Sequence, residues 1–310
     1  MIRSPASLLE CDWTFTSSHP SLQIRRLRLQ RRWTARRPAP PFAVLRPPAP
    51  RDRWNLLFLF VPTGRLDRDQ EAILARVRAL AGGLLVICAT SSPADLPNFD
   101  LADAVAWKGL PGFDFSAYGL GLRLIATHSP GATAYVQNDS VFGPFGDMDG
   151  HVARARWDLT GFMASATVEN HVSSFAFVLK DVSPARVAAL SAVLSPDWCY
   201  NDFSSVVVAQ ETWLARVASA EMSVGSFFYM PVRPASPSWK QRIGVRLRPE
   251  TARDHPIDVS GDPTLGSPLD LMDRGFPFLK RSLLGKFRGM TDADALRARL
   301  SRSGWPDPAL

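Results

Sequence analysis

The sequence predicts an α/β fold whose central sheet is covered by helices on both faces. Residues 55–61 and 84–89 form continuous apolar runs, as expected of strands buried on both sides. Between them, residues 66–80 place their large apolar side chains on one helical face, and Gly82-Gly83 ends that helix. A strand, a helix and a strand at this spacing indicate parallel strands joined by right-handed crossovers. Residues 104–107 give a short third strand.

Composition places the chain among globular proteins. It has 310 residues, 46% of them hydrophobic, and a net charge of +7. Its three cysteines lie far apart with no metal or disulfide spacing, which favours a reducing compartment. No apolar run approaches the roughly 20 residues of a membrane span, and the first fifteen residues lack the apolar core of a secretory signal. We therefore expect a cytoplasmic protein.

Much of the positive charge lies in one segment. Ten arginines fall between Ile24 and Arg53, where Asp52 is the one acidic residue, and residues 38–50 are rich in proline. This pattern predicts a basic N-terminal arm over residues 1–53 that ends in a semi-rigid linker. Three uses remain open: a solvated arm packed on the core, peripheral binding of residues 24–53 to anionic membrane lipid, or non-specific nucleic-acid binding. No motif for specific nucleic-acid recognition accompanies the arginines.

The core that follows, residues 54–232, is predicted to divide into a first half (54–146) and a second half (147–232). Its first strand is followed by neither GxGxxG nor GxxxxGK[ST], so a dinucleotide fingerprint and a P-loop are both unsupported. Residues 132–137 form a further apolar strand that stops at Asn138-Asp139-Ser140. Ligands of open α/β folds bind at such strand ends, although a capped turn would use the same residue types. Residues 233–310 are predicted to be an irregular and partly helical extension.

Four further side chains have two interpretations each. Asp114 near a helix start either caps the helix or contacts a nucleotide or sugar. His171 either contacts a ligand or is structural. Lys280 either reaches a phosphate or is a surface lysine. Residues 206–209 are predicted to form an apolar strand, and Glu211 follows where this strand meets a helix. Glu211 is either a functional carboxylate or a charge that stabilises the first helical turn.

A series of short motifs resembles the rhamnan synthesis protein F family of glycosyltransferases. The resemblance covers most of the chain after the arm, and it depends on the order of the motifs more than on any single one. The motifs are GRLD at 64–67, GFDFSAYGLGL at 112–122, NDSVFGP at 138–144, WDLT at 157–160, HVSSF at 171–175, Gln210-Glu211, DPTL at 262–265 and GFPFLK at 275–280.

This resemblance implies a GT-A glycosyltransferase that binds a sugar nucleotide on its first half. Asn138, Asp139 and Ser140 then occupy the place of the acidic motif that holds the donor diphosphate, usually through a divalent metal. One carboxylate, with neighbouring oxygens and the diphosphate, can suffice for Mg²⁺ or Mn²⁺ at Asp139. Basic side chains or backbone N–H groups can also hold a diphosphate without metal. Glu211 stands where inverting enzymes of this fold carry the catalytic carboxylate.

The acceptor region departs from the family pattern. The resemblance assigns Trp157, Asp158, Thr160 and His171 to acceptor binding. Asp158 replaces the usual glycine after the tryptophan, Ala155 replaces an aspartate, and Ser173 replaces a glutamine. These changes leave the identity of the acceptor open, and activity with it.

The function implied is transfer of L-rhamnose from dTDP-L-rhamnose to a growing, lipid-linked polysaccharide of the bacterial cell envelope, such as lipopolysaccharide. The alternatives are a transferase for another sugar, such as galactofuranose, or a non-catalytic glycan- or partner-binding protein. The same expectations imply a cytoplasmic protein that is bound peripherally to the inner face of the cell membrane.

Overall fold

The computed structural model describes residues 9–231 and 262–308. Within these residues one mixed sheet runs through the protein in the order β1-β13-β9-β11-β7-β4-β5-β6-β3, with β10 paired to β9. Its strands are β1 (Glu10–Thr14), β3 (Phe42–Arg46), β4 (Arg53–Phe60), β5 (Gly83–Ala89), β6 (Ala104–Lys108), β7 (Ala132–Asn138), β9 (Leu159–Ser165), β10 (His171–Val172), β11 (Ala176–Val182) and β13 (Val224–Met230).

Two short ladders lie outside this sheet. One pairs β2 (Arg36–Pro38) with β12 (Trp198–Tyr200), and the other pairs β8 (Val141–Phe142) with β14 (Leu279–Lys280). The helices are α1 (Leu22–Thr34), α2 (Arg68–Arg78), α3 (Phe113–His128), α4 (Met148–Ala153), α5 (Pro184–Leu190), α6 (Phe203–Val206), α7 (Thr212–Ala218), α8 (Pro263–Gly266), α9 (Pro268–Asp273) and α10 (Ala293–Arg302). None of these helices is long and apolar enough to cross a bilayer.

The parallel part of the sheet has the predicted architecture. Strands β6, β5, β4 and β7 lie side by side and parallel, so the chain order reverses between β4 and β7. Alternate side chains of β4 enter two different cores: Leu56 and Phe58 pack with α3, while Leu57 and Leu59 pack with α2. Helices therefore cover both faces, and the predicted α/β class is confirmed.

The N-terminal segment is not a separate arm. Strand β1 pairs with β13 at one edge of the sheet, and β3 pairs with β6 at the other. The intervening helix α1 is held to the core by Arg28, which is 8% exposed. The segment is thus packed on the core, which is one of the three uses that the sequence leaves open. The boundary at residue 53 stays a prediction, and β4 begins at that residue.

The second half of the core continues the same sheet. Strand β11 runs antiparallel to both β7 and β9, and β13 runs parallel to β9. The predicted strand over residues 206–209 is helical: α6 leads into a π-helical turn at Val207–Glu211 and then into α7. A short apolar run cannot distinguish a buried strand from a buried helix, and here packing overrode the β propensity of three valines.

The C-terminal residues that the structure describes pack on both halves of the core. Phe278 lies in edge-to-face contact with Phe162 and Phe175, and Trp305 packs against Phe142 and Phe145. The short β14 thereby places Lys280 opposite Val141, immediately after the Asn138-Asp139-Ser140 turn. Residues 233–261 of the predicted irregular extension lie outside the described residues.

Candidate functional site

A cavity of about 930 Å³ opens where β4 and β7 end. This is the point of strand-order reversal, where open α/β sheets bind ligands, and the volume is within the range of about 300–1,000 Å³ common for small-molecule sites. Aromatic residues, among them Phe58, Phe60 and Phe175, form part of its wall. Seven predicted site residues line it: Asp114, Asn138, Asp139, Ser140, His171, Glu211 and Lys280.

Asp114 lies in the first turn of α3 and bonds to the strand end. Its Oδ2 accepts a hydrogen bond of 2.7 Å from Asn138 Nδ2, and Asn138 Oδ1 accepts bonds from the backbone N–H and the hydroxyl of Ser140. Helix α3 has no side-chain cap at Gly112, so Asp114 is not its N-cap. Burial, and then the negative charge of Glu211, raises the pKa of Asp114 to about 6, against the lowering effect of the Asn138 hydrogen bond.

Asp139 joins three elements at the cavity edge. Its Oδ2 accepts hydrogen bonds from the Phe60 N–H at 3.0 Å and from Gln70 Nε2 at 2.7 Å, and its carbonyl oxygen accepts one from Arg281. Burial raises the pKa of the Asp139 carboxyl, while those two hydrogen bonds and the charge of Arg281 lower it. The side chain therefore connects the end of β7 to the end of β4 and the start of α2.

We expect Asp139→Ala to lower the free energy of unfolding by about 1–3 kcal/mol, because the Phe60 N–H and the Gln70 amide would lose their acceptor. Denaturant unfolding measures this change. Asp95→Ala, which removes an exposed carboxylate from the end of a short 3₁₀ helix, is the control and should have an effect below about 0.5 kcal/mol. Equal unfolding midpoints for the two variants would contradict this structural role.

The described residues do not form a prebuilt site for Mg²⁺ or Mn²⁺. Asp139 Oδ2 and Asn138 Oδ1 already accept two hydrogen bonds each, so Asp139 Oδ1 is the oxygen left for a cation at this turn. Among the described residues no three His, Cys, Asp or Glu side chains form a group that could hold a metal. A divalent cation at this turn would take its other oxygen ligands from water and from a bound diphosphate, as Mg²⁺ often does in proteins.

Glu211 lies in the π-helical turn and faces the cavity with a half-buried side chain. Its Oε1 accepts two hydrogen bonds of 3.0 Å, from the backbone N–H and the hydroxyl of Ser174. Its Oε2 has no hydrogen-bond partner among the described residues. Single π-helical turns occur frequently at functional sites, and this one directs a carboxylate with one uncommitted oxygen at the cavity.

His171 and Lys280 also direct a nitrogen at the cavity. His171 Nδ1 donates to the Glu169 carbonyl oxygen at 2.8 Å, and Nε2 has no hydrogen-bond partner among the described residues. Lys280 Nζ lies 4.2 Å from the ring centre of Phe175 and has no carboxylate partner among the described residues. A second lysine of the cavity wall, Lys286, is exposed.

Three predicted acceptor residues lie elsewhere. Trp157 Nε1 donates to Thr14, the Thr160 hydroxyl donates to the Trp157 carbonyl, and Asp158 accepts from Ser223. They surround the start of β9, whereas the cavity lies near the strand's other end at Ser165. Trp157, Asp158 and Thr160 therefore do not line the cavity, because their motif precedes β9 whereas the cavity lies at the end of that strand. Their role in acceptor binding stays a prediction.

Two basic residues were not predicted, Arg281 in the cavity wall and Lys108 beside Phe58. Arg281 binds Asp67 and Asp69 and donates to the Asp139 carbonyl, which fixes the segment that carries Lys280. Lys108 is 2% exposed, donates to the carbonyls of Gly109 and Pro111, and shapes the turn before α3. Burial lowers the pKa of Lys108 to about 8. The sequence signal for Lys108 was its position at the end of an apolar strand.

Comparison of the chain with protein-family models and with curated proteins found no match.

Proposed function

We propose that this chain is a GT-A-like glycosyltransferase that transfers a sugar, L-rhamnose in the first instance, from a nucleotide donor to a growing cell-envelope polysaccharide. One observation carries the proposal. The cavity at the ends of β4 and β7 combines carboxylates on α3, just after β7 and in the π-helical turn with two lysines of the C-terminal segment that have no carboxylate partner among the described residues. A transferase for nucleotide sugars needs such a mixture. The donor's diphosphate is anionic and binds lysines, while the hydroxyl groups of the donor sugar and of the acceptor bind carboxylates.

The resemblance noted in the sequence supports the same proposal. Motifs that lie far apart in the chain meet at this cavity: Asp114 of GFDF bonds to Asn138 of NDS, and Ser174 of HVSSF bonds to Glu211. DPTL and GFPFLK supply Asp262 and Lys280 to the same wall. A shared binding site gives these motifs a common physical reason to occur in one chain.

The proposed chemistry is an inverting displacement at the anomeric carbon. An acceptor hydroxyl attacks this carbon and gives its proton to Glu211 Oε2, while the bond to the diphosphate oxygen breaks. The departing diphosphate carries negative charge, and both Lys280 and Lys286 stabilise this charge. Ser174 holds Glu211 through Oε1, and this leaves Oε2 as the basic atom. Asp114, held by Asn138, orients the sugar hydroxyls.

Two other functions would use the same cavity, and each predicts a different experimental result. A donor such as UDP-galactofuranose would use the same groups, and a screen of nucleotide sugars for hydrolysis distinguishes it from dTDP-L-rhamnose. A non-catalytic glycan-binding protein is favoured by the donor motif's single carboxylate, whose Oδ2 is occupied by structural hydrogen bonds. Such a protein would bind glycan without turnover of any donor.

We expect Lys280→Ala to weaken the binding of UDP or dTDP about tenfold or more, because a hydrogen bond to a charged phosphate contributes about 1.5–3 kcal/mol. Titration calorimetry with and without Mg²⁺ or Mn²⁺ measures the affinity and shows whether the nucleotide brings a cation to Asp139. The matched control is Lys180→Ala on β11, which does not line the cavity. Equal affinity of the two variants would reject Lys280 as a phosphate ligand.

A further inference from the structure

The outer face of α1 exposes large apolar side chains. Leu22, Leu29 and Trp33 are 70%, 58% and 82% exposed, respectively. They lie at positions i, i+7 and i+11 of the helix and therefore share one face. A tryptophan exposed to this extent leaves most of its apolar ring in water, which costs free energy. Exposed apolar side chains that lie together on one face are typical of a protein- or membrane-binding surface.

Positive charge flanks this apolar stripe. Arg25 and Arg26 lie beside it, are exposed, and have no hydrogen-bond or ion-pair partner for their side chains among the described residues. No acidic residue occurs between Asp12 and Asp52. The outer face of α1 thus combines apolar side chains with uncompensated guanidinium groups.

The inner face of α1 holds the helix in place. Arg28 donates to the Val208 carbonyl at 2.8 Å and to the Thr212 hydroxyl at 3.1 Å, and it pairs with the buried Glu169. Arg32 lies over the ring of Trp213 at 4.6 Å. The helix is therefore a fixed part of the fold, and its outer face keeps one orientation relative to the cavity.

We propose that the outer face of α1, formed by Leu22, Arg25, Arg26, Leu29 and Trp33, docks on the surface of an anionic lipid bilayer with the helix axis in the membrane plane. The apolar side chains enter the interface between headgroups and acyl chains, and the arginines bind headgroup phosphates. Nucleic acid would also attract the arginines, but it offers no apolar layer for Leu22 and Leu29.

The docking geometry connects the bilayer to the cavity. Val207, Glu211 and Thr212 line the cavity, and α1 binds the same turn through Arg28. A membrane on the outer side of α1 would thus lie one helix away from Glu211, where a lipid-linked acceptor can reach. This consequence rests on the proposed function, whereas docking itself requires no nucleotide, sugar or turnover.

Vesicle sedimentation with the full chain and no nucleotide tests the docking. We expect binding to vesicles of phosphatidylcholine with about 30% phosphatidylglycerol, little binding to pure phosphatidylcholine, and steep loss with salt. Arg25→Gln with Arg26→Gln should weaken binding about 30-fold, since each basic residue near the surface contributes about 1 kcal/mol. Leu29→Ser with Trp33→Ser should weaken it about tenfold or more, in proportion to the apolar area that inserts.

Matched controls show whether a loss of vesicle binding is specific to the outer face of α1 or follows from removing any exposed arginine or leucine. Arg288→Gln with Arg302→Gln removes two exposed arginines elsewhere, and Leu101→Ser removes a leucine that is 63% exposed, so both should bind like the parent chain. Brominated lipid should quench more tryptophan emission in the parent chain than in Trp33→Phe. Equal binding to neutral and anionic vesicles, no binding, or equal losses in the controls would overturn the proposal. Arginine-dependent binding to an RNA or DNA oligonucleotide without vesicle binding would also overturn it.

Discussion

Glu211→Gln is expected to lower turnover by at least about a hundredfold while donor affinity and the melting temperature stay near those of the parent chain. A general base contributes roughly 10²–10⁴-fold to rate. The amide keeps the shape of the side chain, and its oxygen still accepts both hydrogen bonds from Ser174. Its nitrogen replaces the uncommitted Oε2 and cannot accept a proton. Steady-state kinetics with the donor found by the hydrolysis screen measures the effect.

The matched control is Glu221→Gln, which changes an exposed carboxylate beyond the end of α7 and should turn over normally. A Glu211→Gln variant with normal turnover but a lower melting temperature would show that Glu211 is structural. Two other carboxylates cannot then take its place: Glu169 is buried between Arg28 and Arg216, and Asp202 caps α6. Asp158 lies outside the cavity, so His171 would be the base to examine next.

Arg28→Met is expected to lower the free energy of unfolding by about 3–5 kcal/mol. Breaking a buried ion pair leaves a buried charge without full compensation. Here that charge is on Glu169, whose side chain is 1% exposed and which would keep Arg216 as its remaining cation. The Val208 carbonyl and the Thr212 hydroxyl also lose a donor. Because these residues flank Glu211 in the chain, turnover should fall as well. Denaturant titration with two spectroscopic probes measures the stability change.

Arg25→Met on the same helix separates the buried contact from helix propensity and charge. Arg25 is exposed, and its replacement should change stability by less than about 0.5 kcal/mol. A double variant, Arg28→Met with Glu169→Gln, should recover part of the loss because it removes the buried charge along with its partner. If Arg28→Met unfolded at the same denaturant concentration as Arg25→Met, α1 would not be anchored as described.

The parallel half of the fold could be predicted because its physics is local. Strands β4 and β5 are continuous apolar runs, and α2 between them has one apolar face. Parallel strands bring their carboxyl ends to one edge, so the place of Asp139 followed from the sequence, as did that of Asp114 at the start of the helix behind it. The mutual contacts of Asn138, Asp114 and Ser140 depend on side-chain rotamers and could not be predicted.

The remaining features depend on packing between distant segments. Residues 10–14 and 42–46 form sheet edges only because β13 and β6 present unpaired backbone groups to them, and nothing near these residues in the sequence reveals that. The π-helical turn arises where Arg28, 180 positions before Val208, binds its carbonyl. Arg281 was missed because Asp67 and Asp69, which it binds, lie more than 200 positions before it in the chain.

Hydrogen exchange measured with and without dTDP-L-rhamnose, and in parallel with UDP-galactofuranose, tests the central claim most directly. If the cavity binds a nucleotide sugar, one of these ligands should slow exchange in four separate segments, residues 112–116, 138–141, 207–212 and 279–282, which line it together. The segment around Trp157 at the start of β9 should exchange at an unchanged rate. Protection confined to other parts of the chain, or none with either ligand at millimolar concentration, would contradict the account.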